Sequence, residues 1–284
     1  MTDSAAILSA PPKKGLLSRI RPQYFSSTLV TLILVIGQWK YRILGSYVDL
    51  ALALGSALAT EIVLSMLLRR KFPALVSGYI SGNSVAIMSK PQGGLAWPFG
   101  LGGAIAVASK YVLTYRGRHL WNPTNFSLCA FLLLAPGSFA ILSHEWGNDP
   151  RANLVIWIVG LIVVTRAKVL HLTLTYLAAF AVLALGRAWL RDLPPLAELS
   201  PATGVMYQFF VFFMITDPRT IVSKRRDQIV VVLLIALLEC ALRLLNDYQV
   251  PGFARFAPAP AMFALFFVGP IAMWWDLRKN ATGR

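Results

Sequence analysis

The sequence predicts an all-α polytopic membrane protein, and three observations predict it. The 284 residues are 57% hydrophobic and 14% charged, with a mean hydropathy of +0.63, which is too apolar for a soluble domain of this size. Apolar runs recur along the chain, broken by charges or by Pro and Gly; at roughly 20 residues per crossing they accommodate about ten helices and leave no room for a separate soluble domain. The basic residues fall in short clusters between those runs, so the net charge of +15 reads as a topology signal and not as a nucleic-acid interface.

Taken in order, the expected spans cover 24–38, 46–68, 72–89, 97–115 and 123–142, then 154–165, 169–185, 203–215, 228–245 and 257–275. The first, sixth and eighth are shorter than a straight crossing requires. Residues 1–23 hold Lys13, Lys14, Arg19 and Arg21, and no small-x-small cleavage site follows the first apolar run, so they are expected to be a cytoplasmic tail. Residues 277–284 form the second tail.

Orientation follows from the basic residues. One side of this arrangement holds those four, Arg69 to Lys71, Arg116 and Arg118, Arg166 and Lys168, Arg219 with Lys224 to Arg226, and Arg278, Lys279 and Arg284, about 18 in all. The other holds Lys40, Arg42, Lys90, Arg151, Arg187, Arg191, Arg243 and Arg255, about 8. The split puts both termini in the cytoplasm and requires an even number of spans. The tryptophans at span ends, Trp97, Trp121, Trp189, Trp274 and Trp275, fit an aromatic belt.

The chain also repeats itself. Ile87-Met88-Ser89-Lys90-Pro91 ends the third span and Met214-Ile215-Thr216-Asp217-Pro218 the eighth: two apolar residues, a hydroxyl, a charge and a proline. Both spans open on small residues, Ser77-Gly78 and Ser81-Gly82 in one, Ser200 and Ala202-Thr203-Gly204 in the other. An offset of five spans reverses orientation, so 24–142 and 154–276 read as two inverted five-helix repeats, with interrupted helices meeting near the midplane.

Metal chemistry is not expected. Cys129 and Cys240 lie in apolar runs without CxxC spacing, and His119, His144 and His171 are scattered, so no zinc, iron–sulfur or bis-histidine haem site is visible.

Two polar segments carry the functional signal. In Arg116-Gly117-Arg118-His119-Leu120-Trp121-Asn122-Pro123-Thr124-Asn125, Asn122 before Pro123 favours a turn that starts a helix, and Asn125 adds an amide in its first turn. Lys110, within the fourth span, must snorkel or find a partner. In Thr216-Asp217-Pro218-Arg219-Thr220, Asp217 can cap a turn while Arg219 and Thr220 offer donors to an anionic or carbonyl-bearing ligand. Both turns are expected at the cytoplasmic surface, near a shared polar cavity. Among acids at membrane depth, Glu239 has Arg243 one turn later and reads as a structural pair. Asp49 and Glu61 lack a local partner; Asp49 reads equally as an interfacial residue, and Glu61 as part of a proton or cation path or as a hydrogen-bond partner of a neighbouring helix.

The stretch from Lys110 to Phe126, with its lysine, glycine and Asn-Pro, and the run Phe212-Phe213-Met214-Ile215-Thr216-Asp217-Pro218 together resemble the RnfD/NqrB family, membrane subunits of ion-translocating, flavin-containing redox complexes. Stand-alone members occur in biosynthetic gene clusters, enediyne clusters among them. The resemblance implies two inverted five-helix repeats, neighbouring redox subunits in the inner membrane, and FMN joined by phosphoester to a threonine in a Ser-Gly-Ala-Thr-like motif on the outer side of the eighth helix. The matching residues are Ser200-Pro201-Ala202-Thr203, followed by Gly204. Proline replaces the glycine, and Ala197 stands where the flavin-transferring enzyme expects an aspartate, with Asp192 and Glu198 only nearby. Read from the residues alone, Ser200 as N-cap with Pro201 at the first helical position is a complete helix start. The functional expectation is a membrane subunit of flavin-dependent electron transport, with or without ion coupling. The alternatives are a small-molecule or ion transporter, or a membrane accessory protein of a biosynthetic pathway that has lost the flavin.

The charge split makes a direct prediction. Reporter fusions at Lys14 and Arg284 report cytoplasm and one at Asp149 the opposite side; opposite locations for the two termini rule out an even span count.

Overall fold

The structure, a computed structural model, describes residues 22–42, 44, 46–141 and 150–282. The expected tail over 1–21, the connection at 142–149 and the last two residues lie outside them. The first half holds α1 (Pro22–Tyr41), α2 (Tyr47–Arg69), α3 (Val76–Met88), α4 (Trp97–Val112) and α5 (Pro123–Leu134). The second holds α6 (Pro150–Arg166), α7 (Leu170–Arg191), a short α8 (Pro195–Leu199), α9 (Val205–Phe209, continued by a π-helical turn over Phe210–Met214), α10 (Arg225–Asp247) and α11 (Pro260–Thr282). Each expected span overlaps one of these helices.

Four of them, Tyr47–Arg69, Leu170–Arg191, Arg225–Asp247 and Pro260–Ala281, are long and apolar enough to cross a membrane, and they mark the chain as a membrane protein. The others are shorter. Pro73 delays α3 to Val76, and Pro136-Gly137 follow α5, so residues expected to continue that helix instead form a strand. β1 (Ser89–Pro91) pairs antiparallel with β4 (Phe139–Ile141). β2 (Thr114–Tyr115) pairs with β3 (Arg118–His119) around Gly117, whose φ of 77° suits a tight hairpin. Among the described residues, regular structure is therefore helical apart from two small ladders at helix ends. At 1.5 Å per residue α3 spans about 20 Å, well short of a hydrocarbon core of about 30 Å.

In lipid, helix association has little hydrophobic drive and depends on close fit. α2 supplies that fit through small residues: Ala53 and Ala57 are fully buried. A Cβ on Gly103 of α4 would stand 2.4 Å from the Ala53 carbonyl oxygen, so only glycine lets α4 approach this closely. In the second half the close approach is aromatic. The Phe212 ring lies on Gly160 of α6 and meets Trp157 edge-on at 5.0 Å.

Several helix pairings recur in the two halves, although α3 also packs on α4 and α5, which α9 does not match. In the first, α1 packs on α3, α2 on α3 and α4, and α4 on α5. In the second, α6 packs on α9, α7 on the π turn and α10, and α10 on α11. The halves meet where α1 touches α6 and α5 touches α11.

Candidate functional site

Asn122 starts α5 as the sequence requires. Its extended backbone, with Pro123 next, lets Oδ1 accept the Asn125 backbone N–H at 3.0 Å. The side-chain amide is then free to donate from Nδ2 to Asp217 Oδ2 at 3.1 Å, across 95 residues of sequence. Asp217 also shapes its own turn: Oδ1 accepts from the Arg219 backbone N–H at 3.0 Å and Oδ2 from the Thr220 hydroxyl at 3.3 Å. Thr216, buried, donates its hydroxyl to the Phe212 carbonyl inside the π turn. Asn125 is fully buried and donates to the Met262 carbonyl of α11 at 2.9 Å. The two motifs thus meet.

Asn122 and Asp217 are both half-buried, and Pro218 and Arg219 beside them are exposed. The Trp121 indole N–H donates to the Phe266 carbonyl, whereas Arg116 reaches the Leu277 carbonyl and Ser223 donates to Asp276 Oδ2, farther along α11. Arg118 closes the junction: one Nη donates to the carbonyls of Pro218 and Arg219 at 3.1 and 3.0 Å. The Arg219 side chain is exposed.

Lys110 finds the partner its depth demands. It is 4% exposed, and Nζ donates to the Ser77 carbonyl at 2.9 Å and hydroxyl at 3.0 Å, and pairs with Glu61 Oε2 at 3.4 Å. The Tyr111 hydroxyl donates to Glu61 Oε1 at 2.9 Å. Glu61 is therefore bonded to α4 through both carboxylate oxygens. Gly78 leaves room for it, since a Cβ there would stand 3.4 Å from Oε2. Asp49 does not join this group. It lies in the first turn of α2, twelve residues or about 18 Å from Glu61, where a carboxylate favours the helix dipole.

His119, on the hairpin outside the helices, lies within the electrostatic reach of Lys110, Asp217 and Arg219. Burial lowers its pKa from the ordinary value, and the Arg219 cation lowers it further. Its Nδ1 has no hydrogen-bond partner among the described residues.

The Ser200–Gly204 segment lies at the other end of α9. Ser200 and Pro201 do not start that helix. Ser200 has helical backbone angles at the end of α8, so its hydroxyl turns back to the Ala197 carbonyl, and 200–203 form a 3₁₀ turn. Gly204, extended, is the residue before α9. Thr203 is exposed, its Oγ1 donating to the Ser200 carbonyl at 2.7 Å; Ala202 and Gly204 are half-buried. The ten residues from Val205 to Met214 keep this turn about 15 Å from the Asn122–Asp217 junction. The two groups are separate sites.

Sequence reasoning missed Ser77, Tyr111 and Arg118 as partners, although Ser77-Gly78 had marked the opening of α3. It also missed the neighbours of Glu239: the expected Arg243 pair is present at 3.0 Å, but the hydroxyls of Tyr176 and Tyr207 also donate to this carboxylate.

Breaking a buried pair on one side costs about 3–5 kcal/mol, because a lone charge is left in low dielectric, whereas replacing both partners is far milder. Lys110→Met should lower the unfolding midpoint of the detergent-solubilised protein steeply, and Glu61→Gln added to it should recover most of the loss; equal losses in the single and double variants would show that the pair is not coupled. Among known proteins, no family model and no curated protein matches the chain.

Proposed function

We propose that the chain is a multi-pass subunit of flavin-dependent electron transport in the cell membrane, of the RnfD/NqrB kind, with ten crossings in two inverted five-helix repeats and both termini cytoplasmic. The observation that carries the reading is the Asn122–Asp217 hydrogen bond. The two motifs on which the resemblance rests, far apart in sequence, are the two sides of one junction. Four helix pairings that recur in the two halves support the repeat. So does the likeness of α3 and α9, both short and both ending in apolar-apolar-hydroxyl-charge-proline. The basic residues support the orientation.

The residues at Thr203 fit an attached flavin phosphate. The hydroxyl is exposed, uses only its proton within the chain, and stands between Ala202 and Gly204, which leave space for a flat ring system. Esterification takes the Thr203 hydroxyl proton and with it the bond to Ser200, and the turn is then held by Ser200 to Ala197 and by the Gln208 amide to the Thr203 carbonyl at 2.8 Å. A flavin there would supply one- and two-electron transfer. The chain's part is to fix the attachment point on a rigid turn and to keep charge out of the helices between that turn and the junction. Glu61, already balanced by Lys110, serves in this reading as a fixed counter-charge. Ion movement would require that pair to open.

A transport function without redox chemistry is the second reading, favoured by the polar junction where short helices meet. An accessory role in biosynthesis, without flavin, is the third. The protein expressed with a flavin-transferring enzyme separates them. In-gel fluorescence and intact mass should show a flavin-sized increment in wild type that is absent from Thr203→Val. Unmodified wild type with no flavin absorbance would reject the redox reading and leave transport or the accessory role.

A further inference from the structure

The helices of the second half end in a charged face to which the proposed function gives no ligand. α7, α10 and α11 are long and apolar enough to cross a membrane, and two side-chain contacts bring their ends together on one side. His171 Nε2 and Gln228 Oε1 are hydrogen-bonded at 2.8 Å, joining the first turns of α7 and α10. Ser223, just before α10, donates its backbone N–H and its hydroxyl to Asp276 Oδ2 of α11 at 3.1 and 2.8 Å. Lys168, Arg219, Lys224, Arg225 and Arg226 are exposed on this face, whereas Asp217 and Asp227 are half-buried and Asp276 is buried. Among the described residues of 165–171, 216–229 and 272–282, no acid is exposed.

Depth selects the partner. On α10 the exposed apolar residues Val230, Leu233, Leu234 and Leu237 begin one turn after Arg226. On α11 Ile271, Trp274 and Trp275 are exposed, and the Arg278 guanidinium, one turn farther, lies over the Trp274 ring at 5.2 Å. The cations thus stand about 6 Å beyond the apolar surface of both helices, and the headgroup layer beside a hydrocarbon core is about 5–8 Å deep. Between the two helices runs a narrow apolar crevice, lined by Val231, Val232 and Ile235 of α10 and by Leu265, Gly269 and Ala272 of α11. Val231, Leu265, Gly269 and Ala272 are only half-buried, so the crevice reaches the surface. Arg225 precedes Gln228, Val232 and Ile235 by three, seven and ten residues, which puts it on the crevice stripe of α10; Lys224 flanks that stripe, and Arg226 falls away from it.

We propose that this face binds an anionic phospholipid, with the phosphodiester against Lys224 and Arg225 and one acyl chain in the α10–α11 crevice. The guanidinium offers a fork to two phosphate oxygens, and the ammonium adds a point charge. An acidic protein domain would meet the same cations from outside the membrane, but it would leave the crevice unused. The site rests on the membrane character of the chain and is independent of the flavin reading.

The test separates charge at the crevice from charge elsewhere on the same face. Purified protein in detergent is titrated with diacyl phosphatidylglycerol and with diacyl phosphatidylcholine, and bound lipid is counted by native mass spectrometry. A basic residue near an anionic surface contributes about fivefold in affinity. Wild type should therefore prefer phosphatidylglycerol, Arg225→Gln should lose about fivefold of that preference, and Lys224→Gln/Arg225→Gln about 25-fold. Arg226→Gln, which removes the same charge away from the crevice, should keep the wild-type preference. Ala272→Leu, which narrows the crevice and leaves every cation, should weaken the binding of both lipids alike. Equal binding of the two lipids by wild type would overturn the proposal and leave the cations to an acidic protein partner. Equal losses in Arg225→Gln and Arg226→Gln, or unchanged lipid binding in Ala272→Leu, would overturn it as well.

Discussion

The hydrogen bond from the Asn122 amide to the Asp217 carboxylate is the contact on which the arrangement of the two halves depends. An apolar environment leaves no backbone group or charge free to hydrate, so a chain that interrupts its helices there must satisfy the exposed ends with its own side chains. Asn122 does this twice, capping α5 with its oxygen and reaching the other half with its nitrogen. Asp217 does it three times, accepting from Asn122, from the Arg219 backbone and from Thr220. The π turn before it is closed in the same way, by Thr216 on the Phe212 carbonyl. Without these side chains the start of α5 and the end of α9 would be unpaired polar backbone in the interior.

The same constraint governs the buried charges. Lys110 and Glu61 lie at a junction of α2, α3 and α4; Glu239, Tyr207 and Arg243 lie where α7, α9 and α10 meet. Each group includes a residue near the start of a short third-rank helix, Ser77 or Tyr207, so these helices are held by polar bonds as well as by packing. Such pairs add little net stability once desolvation is counted. Their effect is to fix which residues face each other across helices that would otherwise slide on apolar surfaces.

Helix positions were legible because hydropathy is a local property, and the proline at position 123 and the asparagine before it were read correctly as a helix start. The Glu239–Arg243 pair was legible because partners four apart share a helix face. Lys110 had to have a partner, but nothing local names Glu61, 49 residues away. Tyr176 and Tyr207 were hidden for the same reason. Ser200 was misread because a helix-start pattern also fits the tail of a preceding short helix, and only the backbone of α8 decides between them. The ladder between 89–91 and 139–141 replaced expected helix where Pro91 and Pro136 stop the helices before them.

The central claim is that the two motifs act as one unit. A double-mutant cycle on the unfolding free energy of the purified protein, using Asn122→Ala, Asp217→Ala and the pair, measures this directly. Residues that share a hydrogen-bond network couple by about 0.5–3 kcal/mol, so the double variant should lose clearly less than the sum of the singles. Additive losses would mean that each residue shapes its own turn alone, and would contradict the account.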